Sequence, residues 1–152
     1  MGRSSRNKIG LQFNGYKELT EELDRLGGDL KKTTEKALVQ SKAYVTKNLL
    51  SVTRKQNYPA GGKYSTGKTR HSIDTSKTVH WDGSEGSIDV GFDIDKGGLT
   101  SIFLMYGTKV HGTPRMKPVK GMYEAVYGKE TQAKIRKIQK QVFEEAIKER
   151  LK

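Results

Sequence analysis

The sequence has no cysteine, three prolines and a single tryptophan in 152 residues. Without thiols there can be no disulfide, no thiolate metal site and no cysteine nucleophile, and the redox compartment is undetermined because nothing in the chain responds to it. No uninterrupted apolar run approaches the roughly 18 residues that a membrane-spanning helix needs. The opening residues MGRSSRNKIG are basic and lack the apolar stretch of a secretory signal. A cytoplasmic product is therefore expected, starting in a loose basic tail over residues 1–14. Apolar residues are also sparse, at 33% against 30% charged, and the mean hydropathy is −0.76. Such a lean chain is expected to form one domain, residues 1–152, with a thin core.

Positive charge is in excess: 29 Lys and Arg against 17 Asp and Glu give a formal net charge of +12. It is also segregated. From Lys36 to Ile73 there is no acid, while Lys36, Lys42, Lys47, Arg54, Lys55, Lys63, Lys68 and Arg70 are all basic. A second basic stretch, from Lys109 to Lys140, is opposed only by Glu124 and Glu130. Between the two lies an acidic band containing Asp74, Asp82, Glu85, Asp89, Asp93 and Asp95. This segregation can steer a polyanion to the basic faces or pair one copy of the chain with the next. The aromatic and basic interleaving of a base-stacking platform is missing from the sequence, as is any recognisable groove-reading helix.

Leu19, Leu23, Leu26 and Leu30 step by four, three and four, and the rhythm continues through Ala37, Leu38, Val45, Leu49 and Val52. One apolar helical stripe is expected over residues 16–54, broken or bent at Gly27-Gly28. Residues 57–70, rich in Gly, Pro and small polar residues, read as a long loop. Ile73, Thr75, Val79 and Trp81, then Ile88, Val90, Phe92 and Ile94, alternate with polar neighbours, so two strands are expected at 72–81 and 87–94. The turn residues Asp82 to Gly86 would join them as an antiparallel hairpin. The apolar segment 99–106 reads as a third strand or a short helix joined to one, and 107–117 as another irregular loop. Pro118 suits the first turn of a closing helix, near whose end Ile135, Ile138, Val142, Ala146 and Leu151 repeat at helical spacing. The expected class is α+β: a small antiparallel sheet, hairpin plus third strand, packed against a long N-terminal helical region and a C-terminal helix.

Gly62-Lys-Tyr-Ser-Thr-Gly67-Lys68-Thr69 matches the phosphate-loop pattern G-x-x-x-x-G-K-[ST]. A working loop leaves a buried strand and opens a helix whose amides hold the phosphates. Here Asn57 to Ala60 form no apolar strand, and Ser72 to Trp81 alternate like a strand rather than a helix. His71, His80 and His111 have no partner at ligand spacing, so no metal site is expected. No serine sits in a nucleophile-elbow pattern, and Asp89, Asp93 and Asp95 read as solvated charges on a hairpin. No catalytic residue and no cofactor is assigned. Trp81 and Tyr44, Tyr58, Tyr64, Tyr106, Tyr123 and Tyr127 read as core or interface anchors.

Three short motifs recur in a fixed order: Thr66-Gly67-Lys68-Thr69-Arg70-His71-Ser72-Ile73, then Met105-Tyr106-Gly107-Thr108, then Pro114-Arg115-Met116-Lys117-Pro118. With a helical opening, a hairpin between the first two and a closing helix, the order resembles that of the small head-tail joining, or tail-completion, proteins of long-tailed bacteriophages. The family pattern reads Thr-Gly-x-Leu-Arg-x-Ser-Ile, Glu-x-Gly-Thr and Pro-Phe-Leu-x-Pro. This chain departs from it at Thr69, Met105 and Arg115, which stand where the family has an apolar residue, an acid and an aromatic. The resemblance implies a non-enzymatic virion protein of the neck, made in the host bacterial cytoplasm, forming a homo-oligomeric ring. Its partners would be neighbouring neck or connector proteins and the tail tube, with possible contact to packaged DNA and none to a membrane. The loops 57–70 and 107–117 would reach those neighbours, through Tyr64, Arg70, Tyr106, Thr108, Arg115 and Met116. The alternative expectation is a basic nucleic-acid-binding module that contacts phosphate through the loop Gly62 to Thr69.

Overall fold

A computed structural model describes residues 7–12, 17–53, 67–83, 85–110, 112–116, 118–119 and 121–152. The leucine stripe does form helices, and it breaks at the glycine pair. Helix α1 runs Lys17–Arg25 and α2 runs Leu30–Val52. Gly27 adopts φ +73°, a left-handed conformation that glycine reaches without steric cost. Asp29 then restarts the helix by accepting a hydrogen bond from the Lys32 amide at 3.0 Å. Ala37, Leu38, Val45 and Leu49 are fully buried along one face of α2.

That face covers a three-stranded antiparallel sheet. Its strands are β1 (Asn7–Gln12), β2 (Val79–Asp82) and β3 (Glu85–Phe92), in spatial order β1-β3-β2. Ile88, Val90 and Phe92 alternate into the core from the central strand, as period two requires. The expected hairpin is therefore present, but its first strand is shorter, beginning at Val79. The third strand comes from the N-terminus. Asn7–Gln12, expected within a loose tail, pairs with β3 so that Ile9 lies opposite Val90 and Leu11 opposite Ile88. Without it, the second edge of β3 would carry unpaired amides and carbonyls.

The segment expected as strand or helix at 99–106 is helix α4, Thr100–Tyr106, preceded by a 3₁₀ turn at Ile94–Lys96. Its buried residues Ser101, Leu104 and Met105 fit a helical face rather than alternation. Gly98 is required at the junction: a Cβ there would lie 2.6 Å from the Asp93 carbonyl oxygen. The expected irregular loop at 107–117 instead contains a two-stranded ribbon, β4 (Thr108–Val110) and β5 (Thr113–Met116). The closing helix starts later than Pro118 and is split at Gly128 into α5 (Met122–Tyr127) and α6 (Lys129–Leu151).

Two apolar clusters result. The larger joins α2 and β3 to Ile73, Leu104, Met105, Val119, Met122 and Ile135. The smaller gathers Leu23, Ala37, Val142, Phe143 and Ile147 between α1, α2 and α6. A buried ion pair ties α2 to the segment ahead of β2, with Lys42 Nζ 3.5 Å from Asp74 Oδ1. Trp81 is tied in as well: its Nε1 donates to Glu35 Oε1 at 2.9 Å, and Lys31 Nζ lies 5.4 Å from the ring centroid.

Candidate assembly surface

The phosphate-loop lookalike is described only from Gly67 onward. Lys68–His71 forms a single helical turn, α3, where the sequence led us to expect loop followed by strand. The turn ends at once: the Ser72 amide donates to the Lys68 carbonyl at 2.9 Å, and Ile73 bridges to Phe92 of β3. The Gly67 carbonyl is occupied by His71 Nδ1 at 2.8 Å. Four residues cannot supply the aligned amides and dipole with which a helix cradles phosphates.

Arg70 faces inward rather than toward solvent alone. Its Nη1 donates at 3.3 Å to the carbonyl of Leu50, one of the last carbonyls of α2, which no later amide of the helix can reach. Arg70 thus pins α3 to the end of α2. Tyr64 lies outside the described residues.

The remaining expected interface residues come together. Tyr106 closes α4, and the chain passes directly into β4, where Thr108 is the register partner of Met116 across the ribbon; Arg115 precedes Met116 on β5. The chain then returns to α4 through the Val119 amide, which donates to the Leu104 carbonyl at 2.7 Å. Beside this unit lie Leu99 and Phe103, which sequence reasoning did not single out, together with Tyr106 and Tyr123, which it read as core or interface anchors. Leu99, Phe103 and Tyr106 recur at i, i+4 and i+7, and they remain 54%, 46% and 56% exposed, with Tyr123 at 45%. The spacing was visible in the sequence, but whether a stripe is covered depends on what packs against it. The opposite face of α4 is the covered one.

Three phenols connect this face to the interior. The Tyr106 and Tyr123 rings meet edge to face at 6.1 Å, and Tyr123 stacks on Tyr127 at 4.9 Å. The Tyr127 phenol is held above its ordinary value of 10.0, first by burial, then by the charge and hydrogen bond of Tyr106, and then by Tyr123. An open groove of about 610 Å³ runs alongside, lined by Met105, Tyr106, Pro118, Val119, Tyr123 and Glu124.

No group of three or more His, Asp or Glu placed to hold a metal ion occurs among the described residues. His80 pairs instead with Asp89 at 3.6 Å, both partly exposed, and the Asp93 carboxylate caps the 3₁₀ turn. No helix among the described residues is long and apolar enough to cross a membrane. The chain matches no protein-family model, no curated protein and no solved structure. The surface itself is a cluster of large, half-exposed apolar side chains on a short helix anchored from behind. Such a patch suits contact with another macromolecule.

Proposed function

We propose that this chain is a structural protein of the bacteriophage neck, forming an oligomeric ring that joins head to tail around the DNA conduit. The observation that carries this reading is the exposed Leu99, Phe103, Tyr106 and Tyr123 face beside the β4–β5 ribbon. Two of the three segments that resemble the joining family, 105–108 and 114–118, border that face. The third, 66–73, reaches the same end of the sheet, since Ile73 bridges to Phe92 and a Cβ on Gly97 would lie 3.4 Å from Lys68 Cβ. A ring subunit presents such surfaces because its neighbours cover them on assembly. The net charge of +12 suits a position close to packaged DNA.

The test is a nonsense codon early in the reading frame of the phage that encodes it. Filled heads and finished tails should accumulate unjoined, and supplying the protein in trans should restore infectious particles. Normal yields of joined virions without the protein would overturn the proposal. The rival reading, phosphate contact through the loop Gly62 to Thr69, draws on the exposed Lys68. It requires duplex binding that weakens steeply with salt and is lost in Lys68→Ala.

A further inference from the structure

We propose that the exposed faces of α2 and α6 together bind the phosphate backbone of duplex nucleic acid, without regard to its sequence. The inference goes beyond the neck reading and depends on it only for which duplex is met.

Both helices carry the same surface pattern. On α2, Lys36, Gln40, Ala43 and Lys47 step by four, three and four, and all are exposed. On α6, Lys129, Ala133, Arg136 and Lys140 repeat those steps and are exposed as well. Each set is one stripe of a helix surface, roughly 16 Å from first residue to last. The helices run antiparallel. Ala37, in the first half of α2, packs with Phe143 and Ile147 toward the end of α6. At the other end an open groove of about 400 Å³ is lined by Tyr44, Asn48 and Ser51 of α2 and by Lys129 of α6. Lys47 comes three residues after Tyr44 and four before Ser51, so it flanks that groove across from Lys129.

Positive charge dominates these stripes. Helix α2 has no acid beyond Glu35, and over residues 129–143 Glu130 is the one acid against Lys129, Lys134, Arg136, Lys137 and Lys140. None of the ion pairs among the described residues uses Lys36, Lys47 or Lys129. Lys140 Nζ lies 3.9 Å from Glu144 Oε1, an exposed contact that water and salt keep weak. Glu124 and Glu130 also line the groove, so phosphates are held along the stripes and not inside it. Acidic α1, with Glu18, Glu21 and Asp24 exposed, packs on the far end of α6 and bounds the basic surface.

Rows of cations on two packed helices suit a polymer of regularly spaced anions. A duplex carries one phosphate charge per about 1.7 Å of axis, so a stripe of about 16 Å runs beside about nine of them. Gln40 adds an amide that can donate to a phosphate oxygen. The stripes hold no aromatic side chain on which the bases of a single strand would stack. Ala43 and Ala133, at their middles, let a stiff backbone approach closely.

The test is binding of a fluorescent DNA duplex of about 20 base pairs to the full chain, followed by anisotropy from about 50 to about 200 mM salt. The wild type should bind, with log K falling linearly in log salt. Lys36→Ala/Lys47→Ala/Lys129→Ala/Lys140→Ala should bind at least about tenfold more weakly and lower the slope by about 3 to 4, near 0.9 for each lysine lost. Alanine suits helix interiors; should the variant still fail to fold, the α2 pair and the α6 pair are tested separately, each with about half the change in slope. The control Lys17→Ala/Lys77→Ala/Lys96→Ala/Lys148→Ala removes the same charge from exposed sites elsewhere and should weaken binding less than about threefold. The proposal fails if the wild type binds no duplex at the lowest salt, or if both variants weaken binding equally. It fails too if only Lys68→Ala abolishes binding, which returns the contact to the loop. A face variant that binds duplex normally but loses self-association shown by the wild type would also overturn it, assigning the face to an acidic surface of a second copy. None of these outcomes bears on whether disrupting the gene leaves heads and tails unjoined, so the neck reading is judged separately.

Discussion

Arg70 and Tyr127 each do at the residue scale something their letters alone do not announce. Arg70 contributes a charged donor to a helix-end carbonyl, a bond worth about 1 kcal/mol net. Arg70→Ala should lower the unfolding free energy by that amount, seen as a lower denaturant midpoint with an unchanged slope of the transition. An unchanged midpoint would mean the bond contributes nothing in solution. Tyr127 gives a pH dependence. Its folded phenol ionises above the ordinary 10.0 because burial and the Tyr106 and Tyr123 phenols disfavour the anion. As pH rises past 10 the unfolded chain loses this proton first, so the stabilisation present below pH 10 is lost progressively until the folded phenol also ionises. Chemical denaturation between pH 9 and 11 should therefore show stability falling more steeply in the wild type than in Tyr127→Phe. Parallel profiles would contradict the assigned environment.

Elements here differ in how plainly their residues declare them. The long helix α2 and the central strand β3 were legible because each has a covered and an uncovered face, so apolar residues recur with periods near 3.6 and 2. The break at Gly27-Gly28 was legible from propensity alone. Strand β1 was not, since six residues with Ile9 and Leu11 acquire meaning only through pairing with β3, some 80 residues away. Segment 99–106 was left between strand and helix because so short an apolar run does not separate the two periods, and as a helix it buries Ser101, Leu104 and Met105. The β4–β5 ribbon hid behind Gly112 and Pro114, which read as loop. Of the candidate surface, Tyr106 and Tyr123 were named from the sequence as core or interface anchors, whereas Leu99 and Phe103 went unmarked because exposure is a tertiary property. Gly98→Ala tests the junction directly. The added methyl meets backbone, which cannot swing aside, so a loss of about 1–3 kcal/mol is expected. A wild-type melting curve for that variant would show that the β3–α4 turn tolerates displacement. Phe143, fully buried in the smaller cluster, should cost about 3–5 kcal/mol on replacement by alanine. A loss below 1 kcal/mol, read from urea unfolding, would mean α1 and α6 are not packed as described.

For the whole molecule, α2 covers one face of a small sheet, and α5 and α6 pack in turn against α2. A half-exposed aromatic face is costly for a free monomer and useful to a subunit with neighbours. The most direct measurement of this account is cryo-electron microscopy of the neck of the virion that encodes the chain. The account predicts a ring of copies with this α2–β3 fold, coaxial with the DNA channel between head and tail. A neck whose every ring is fitted by other chains would contradict it.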